Sequence, residues 1–195
     1  MVGSNRKCKS VPPSVRRAAF ALLSVLFFFG PATAFCDSVT GSEYEVKLGF
    51  IYNFINFVTW PETTFESNSD PLVMCIASDN PSSEVLFKMD GKRINQRKIK
   101  VITYQEETCL TQSHTLFFAT QDKAFIQQVL DRIRGLSILT IGEVDGFARM
   151  GGVINFFEDH NRLRFRVNID AVKRNALKMS SQLLVSAQIV TEGDE

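Results

Sequence analysis

Between residues 72 and 141 the chain twice runs strand, helix, strand, and that alternation limits its folding more sharply than any other feature. Residues 72–77 (LVMCIA) are apolar nearly throughout, as in a strand buried on both faces. Asn80 and Pro81 then offer an N-cap and a first-turn proline to a short helix that carries Val85, Leu86 and Met89 and closes at Gly91. Residues 99–104 form the next strand, so the unit fits within about 35 residues, the size of a βαβ motif. The pattern recurs with a strand over 115–119 (TLFFA), a helix over 122–134 and a strand over 138–141 (ILTI). In that helix Phe125, Ile126, Val129, Leu130 and Ile133 share one face. Two such units predict an α/β fold: a mixed, largely parallel sheet built from two βαβ-like units plus a C-terminal hairpin, flanked by helices. The units share no sequence identity that would make them a repeat.

The flanking elements follow from composition and spacing. In residues 44–61 (YEVKLGFIYNFINFVTWP), Tyr44, Leu48, Ile51, Tyr52, Ile55 and Val58 fall on one helical stripe, which Phe50, Phe54 and Phe57 widen. Little of this helix beyond Glu43, Glu45, Lys47, Asn53 and Asn56 suits open water, so burial on more than one side is expected, with the helix stopped by Pro61. Toward the C-terminus, Gly151 and Gly152 open a strand over 153–157, and residues 159–161 turn it into a second over 163–167. Asn168 can cap one final helix with a buried stripe of Val172, Ala176, Met179, Leu183, Ala187 and Val190.

The start of the chain is of a different kind. Arg6, Lys7, Lys9, Arg16 and Arg17 precede an apolar run over 18–29 (AAFALLSVLFFF) and then Ala32-Thr33-Ala34. A basic start, a short apolar core and an A-x-A site describe a secretory signal peptide, so residues 1–34 are expected to be cleaved after Ala34 and 35–195 to form the domain. The apolar run is shorter than the roughly 20 residues a membrane span needs. Retention as an uncleaved anchor and lipidation at Cys36 are the alternatives, although Phe35 stands where a lipobox wants a small residue. The formal net charge of +1 points to neither nucleic acid nor an acidic membrane surface. None of the 21 Asp and Glu falls within residues 1–34, which hold five of the 22 Lys and Arg, so the domain proper is mildly acidic. Without Cys8 the mature chain keeps Cys36, Cys75 and Cys109, an odd count in an oxidising compartment.

Chemistry-bearing residues are sparse. His114 and His160 are the sole histidines, and neither has a second ligand at metal spacing. There is no GxSxG elbow, and Ser180-Ser181 falls within an expected helix. Gly146, Gly151 and Gly152 lead into a strand rather than a helix, which suits a tight turn better than a phosphate loop. Cys75 lacks a CxxC partner. The feature that remains is RLRFRV, where Arg162, Arg164 and Arg166 share one face of a strand and Leu163, Phe165 and Val167 the other. Three aligned guanidinium groups suit an acidic partner or an anion; they equally suit the solvated outer face of a half-buried strand.

Several motifs in this order resemble the YfiR family of periplasmic regulators: YNFINFVTWP, LVMCIASDNP, LTIGEVDGFARMGGVINFF and RLRFRVNIDAVKRNALKMSSQLL. The resemblance implies a small non-enzymatic α/β protein without a cofactor, exported to the periplasm and often dimeric. It implies as partners a membrane-bound diguanylate cyclase or other membrane sensor, repressed through its periplasmic region, and an outer-membrane lipoprotein that sequesters the repressor. Envelope or redox stress would then raise cyclic di-GMP and favour biofilm. Cys75 matches a family cysteine, but Ser113 stands where its usual partner would directly precede His114, and Cys109 lies four residues earlier. Cys75 and Cys109, the two cysteines within the stretch from Tyr44 to Val190 that carries the resemblance, are the disulfide candidates, and Arg162, Arg164 and Arg166 the candidate partner surface. An accessory ligand-binding module for a transporter or sensor kinase is the alternative, distinguished by a defined pocket. An exported hydrolase is a further one, opposed by the want of a nucleophile and base pair.

Overall fold

The computed structural model describes residues 39–67 and 69–192. The proposed signal peptide, its cleavage point, Cys8 and Cys36 lie outside the described residues. Helix α1 is Val39–Phe57, followed by β1 (Val58–Thr59), β2 (Leu72–Ser78), a 3₁₀ helix (Pro81–Met89), β3 (Arg93–Ile94) and β4 (Arg97–Thr103). Then come α2 (Glu106–Gln112), β5 (Thr115–Ala119), α3 (Lys123–Arg132), β6 (Leu139–Gly142), β7 (Ile154–Asp159) and β8 (Arg162–Asn168). The chain ends in α4 (Ile169–Arg174), β9 (Lys178–Met179), α5 (Ser181–Val185) and β10 (Gln188–Val190).

Among the described residues eight strands form one sheet in the order β10-β8-β7-β6-β5-β2-β4-β3. Strands β4, β2, β5, β6 and β7 run parallel, as expected when helices connect them, and β7–β8 is the antiparallel hairpin. Strand alternation divides the core in two. Met74, Ile76, Phe117, Ile141, Ile154, Phe156 and Phe165 face α1 and the 3₁₀ helix, in one cluster with Ile51, Phe54, Leu86 and Met89. Phe54 lies 4.7 Å from Phe165 and 5.5 Å from Phe156, ring centre to ring centre, so the aromatic helix anchors the hairpin. Cys75, Ala77, Leu116 and Phe118 face the other way, onto α2 and α3 through Cys109, Ile126, Val129 and Leu130. The two strand–helix–strand units therefore place their helices on opposite faces, and the architecture is the expected α/β sheet with helical cover.

Four local readings need correction. Helix α1 stops at Phe57 rather than at Pro61, because Val58 and Thr59 pair antiparallel with Met179 and Lys178. One of its faces, with Glu45, Val46, Asn53 and Asn56, is open to solvent, whereas Lys47, assigned to water, is 4% exposed and ion-paired. A short helix, α2, occupies the polar stretch before β5. The single final helix is instead α4, β9, α5 and β10. It breaks because Ala176 takes a left-handed conformation (φ 53°), with the Ala176 N–H donating to the Lys173 carbonyl and Leu177 N–H to Val172. That is a Schellman closure with alanine where glycine is usual. Leu177 then turns inward, β9 pairs with β1, and the Ser180 hydroxyl caps α5 by accepting from Leu183 N–H.

Candidate functional site

The β7–β8 hairpin turns through His160 and Asn161, both left-handed (φ 50° and 59°), so Asp159 pairs with Arg162 across a two-residue loop. From that register Phe156, Phe165 and Val167 point into the core under α1, while Phe157, Arg162, Arg164 and Arg166 stand on the opposite face. On that face the cluster under α2 and α3 includes no residue of β7 or β8. The three arginines thus share one face, as their spacing predicts, but they are not equivalent, because that face is open at the turn end and covered further along, where Asn155 and Asn168 are buried and donate to the Val144 and Ala148 carbonyls. Arg166 is tied down: its guanidinium carbon lies 3.9 Å over the Phe157 ring, and its Nε donates to Gln188 Oε1 at 3.1 Å on the edge strand β10. Arg164 Nε sits 2.9 Å from Asp159 Oδ2, and both remain partly open to solvent. Arg162 is exposed and makes no ion pair among the described residues. It lines a groove of about 670 Å³ with Val46, Lys47, Phe50, Phe157 and Leu163.

Cys75 and Cys109 form a disulfide, with Cα atoms 5.9 Å apart and a sequence separation of 34. The bond is possible despite the displaced second cysteine because α2 lays Cys109 over β2, where both sulfurs are fully buried. Ser113, in the position the family pattern gives to cysteine, is buried and donates its hydroxyl to the Cys109 carbonyl, closing the same helix.

Three further arrangements escaped sequence reasoning. Tyr44 donates to Glu143 Oε1 at 2.8 Å, while Lys47 Nζ lies 2.5 Å from Glu143 Oε2 and 2.6 Å from Glu43. Burial, with the Glu143 charge beside it, pushes the Tyr44 hydroxyl far above the usual tyrosine range, so it stays a donor. The spacing of Tyr44 and Lys47 was visible, but Glu143 is nearly a hundred residues away. His114 accepts the Val73 N–H on Nδ1 at 3.0 Å and stacks on Phe65 at 4.4 Å, whose other neighbour is Arg97, 3.7 Å over the ring. Burial holds the His114 ring below the ordinary histidine value. Trp60 Nε1 donates to the His114 carbonyl, and Trp60, Phe65 and Arg97 line a groove of about 590 Å³. Finally, Phe147 is wholly buried in a slot between Gly142 and Gly152, so packing accounts for those two glycines, whereas Gly146 and Gly151 are left-handed (φ 85° and 100°). Among the described residues no group of three or more His, Cys, Asp and Glu is placed to hold a metal ion.

Fold and site together define a small disulfide-tied α/β protein whose distinctive surface is an uncovered, arginine-bearing end of its sheet. The chain belongs to the YfiR/HmsC-like family, whose model matches residues 44–188; the family comprises periplasmic regulators rather than catalysts. Among solved structures, a conserved domain protein from Vibrio cholerae O1 biovar El Tor strain N16961 is similar with a TM-score of 0.49 at 10% identity. The match covers 79% of this chain and 60% of that one, so the chain spans about 60% of the length of that relative.

Proposed function

We propose that this protein is exported to the periplasm with residues 1–34 removed, and that it restrains a membrane-bound diguanylate cyclase through protein–protein contact. Membership of the YfiR/HmsC-like family supports a regulatory role, and the Cys75–Cys109 bond suits an oxidising compartment. The observation that carries the mode of action is the exposed turn end of the β7–β8 hairpin, where Arg162 and Arg164 project from strands that the core holds rigid. Rigid presentation lowers the ordering cost of binding, and unlike charges across the contact favour encounter and register. An outer-membrane lipoprotein that competes for the same chain would release the cyclase, and a homodimer would leave the face available on each copy. The test is a photo-crosslinking residue at position 162, with one at the exposed Lys123 of α3 as control, in intact cells. Position 162 should capture an inner-membrane protein bearing a cyclase domain; capture of that protein from position 123 alone would refute the assignment of the face. The groove beside Trp60 favours a second reading, a ligand-binding module serving a transporter or sensor kinase, which a thermal-shift screen with small periplasmic metabolites would test.

A further inference from the structure

We propose that the β3–β4 hairpin, at the far edge of the sheet from the arginine face, is a docking surface for an anionic membrane. Residues 91–100 (GKRINQRKIK) carry Lys92, Arg93, Arg97, Lys98 and Lys100 and no acid, in a domain that is acidic overall. The hairpin closes through Asn95 and Gln96, both left-handed (φ 48° and 73°), which pairs Arg93 directly with Lys98. Like charges facing each other across an antiparallel pair repel, and among the described residues Lys92, Arg93, Lys98 and Lys100 have no ion-pair partner. All four are exposed. Asp90, which directly precedes this stretch, accepts the Val101 N–H on Oδ1 at 2.9 Å and forms no ion pair with these cations.

The kind of cation identifies the occupant. Arg97, which has the planar fork suited to a specific carboxylate, is spent on the Ser67 and Asp70 carbonyls and the Phe65 ring. Arg93 turns one nitrogen back to the Gln96 carbonyl of its own turn. What is left free is mainly lysine ammonium, mobile point charges spread along one hairpin without convergent geometry. Such a layer matches laterally mobile lipid phosphates better than the fixed carboxylates of a folded partner. The hairpin's isoleucines, Ile94 and Ile99, are buried, so the contact is electrostatic adsorption without insertion. Adsorption would confine the protein to the two-dimensional surface where a membrane-bound target lies, a step beyond the proposed regulation and independent of which target it is.

The experiment is co-sedimentation of the purified protein, residues 35–195, with vesicles of phosphatidylcholine alone or with one third phosphatidylglycerol. Binding is expected to the anionic vesicles only, to be lost in about 0.5 M salt, and to weaken on the order of fivefold for each cation removed. Lys98→Glu with Lys100→Glu should abolish it at an unchanged melting temperature, whereas Lys123→Glu, on α3, should leave it intact. Three results would overturn the proposal: no binding to either vesicle, equal binding to both, or anionic binding that survives the double reversal. Polyglutamate supplied at matched charge covers the remaining occupant: if it binds more tightly than the vesicles and through the same lysines, the surface is for an acidic protein and the membrane assignment fails.

Discussion

Replacing Gly152 by alanine should damage the fold far more than one methyl group ordinarily does. A Cβ at position 152 would lie 2.1 Å from Cε1 and 2.3 Å from Cδ1 of Phe147, against the roughly 3.5 Å at which carbon atoms rest. The opposite edge of the same ring is held by Gly142, where a Cβ would lie 2.4 Å from Cδ2. Phe147 therefore cannot retreat from one glycine without meeting the other, and Phe118, 5.4 Å away between ring centres, crowds it further. Overpacking costs about 1 to 3 kcal/mol in cores that can adjust, so a slot closed on both sides belongs at the upper end, about 3 kcal/mol. With the denaturant dependence usual for domains of this size, the urea midpoint should fall by about 1 to 2 M. The check on mechanism is the double variant Gly152→Ala with Phe147→Leu, since a leucine vacates the ring positions. Its loss should be smaller than the sum of the two single losses, with a coupling of about 1 kcal/mol or more. An unchanged midpoint for Gly152→Ala, or strict additivity in the double variant, would refute the slot as the reason for glycine here.

Three further expectations rest on equally local geometry. His114 is held below 6.5 in the folded chain, so the unfolded chain protonates first; its contribution is intact above about 6.5, and stability should decline as pH falls below that value. His114→Asn, whose Oδ1 can take over the Val73 N–H, should flatten that part of a melting temperature against pH profile; a slope unchanged by the substitution would place its origin elsewhere. Opening the Cys75–Cys109 bond by a double change to alanine should cost about 3 to 4 kcal/mol by the loop-entropy relation for a 34-residue separation, read by urea titration; a loss under about 1 kcal/mol would contradict it. Ala176→Gly should stabilise by about 0.5 to 1 kcal/mol, because glycine removes the left-handed penalty at an exposed position at some cost in unfolded-chain entropy; destabilisation would count against the Schellman reading.

Sequence reasoning succeeded where the signal is local and periodic. The strands at 72–77 and 115–119, the Asn80 cap, the amphipathic α3 and the hairpin with its arginine face all depend on neighbours within a few residues. It failed where a distant partner decides. Lys47 looks solvent-bound until Glu143 is folded against it, and no feature of β1 or β9 reveals a two-residue pairing across more than a hundred positions. The final helix was misread because residues 172–190 keep a helical stripe and contain no glycine or proline to end it; the stop is an alanine in a glycine conformation. Helix α2 was missed because its seven residues are mostly polar, with Cys109 as its buried residue. The disulfide pairing was legible through cysteine count, yet the helix that makes its geometry feasible was not.

The central claim is regulation through the exposed turn end of the β7–β8 hairpin, and its most direct test is the cellular level of cyclic di-GMP with Arg162→Glu and Arg164→Glu combined. This pair is preferable to one including Arg166, which also anchors β10 through Gln188. Both chosen side chains are exposed, so the melting temperature should hold while like-charge repulsion at the contact weakens binding. Cyclic di-GMP should then rise toward the level of cells lacking the protein. A charge-reversed protein that folds normally and holds cyclic di-GMP as low as the unaltered chain would contradict the account.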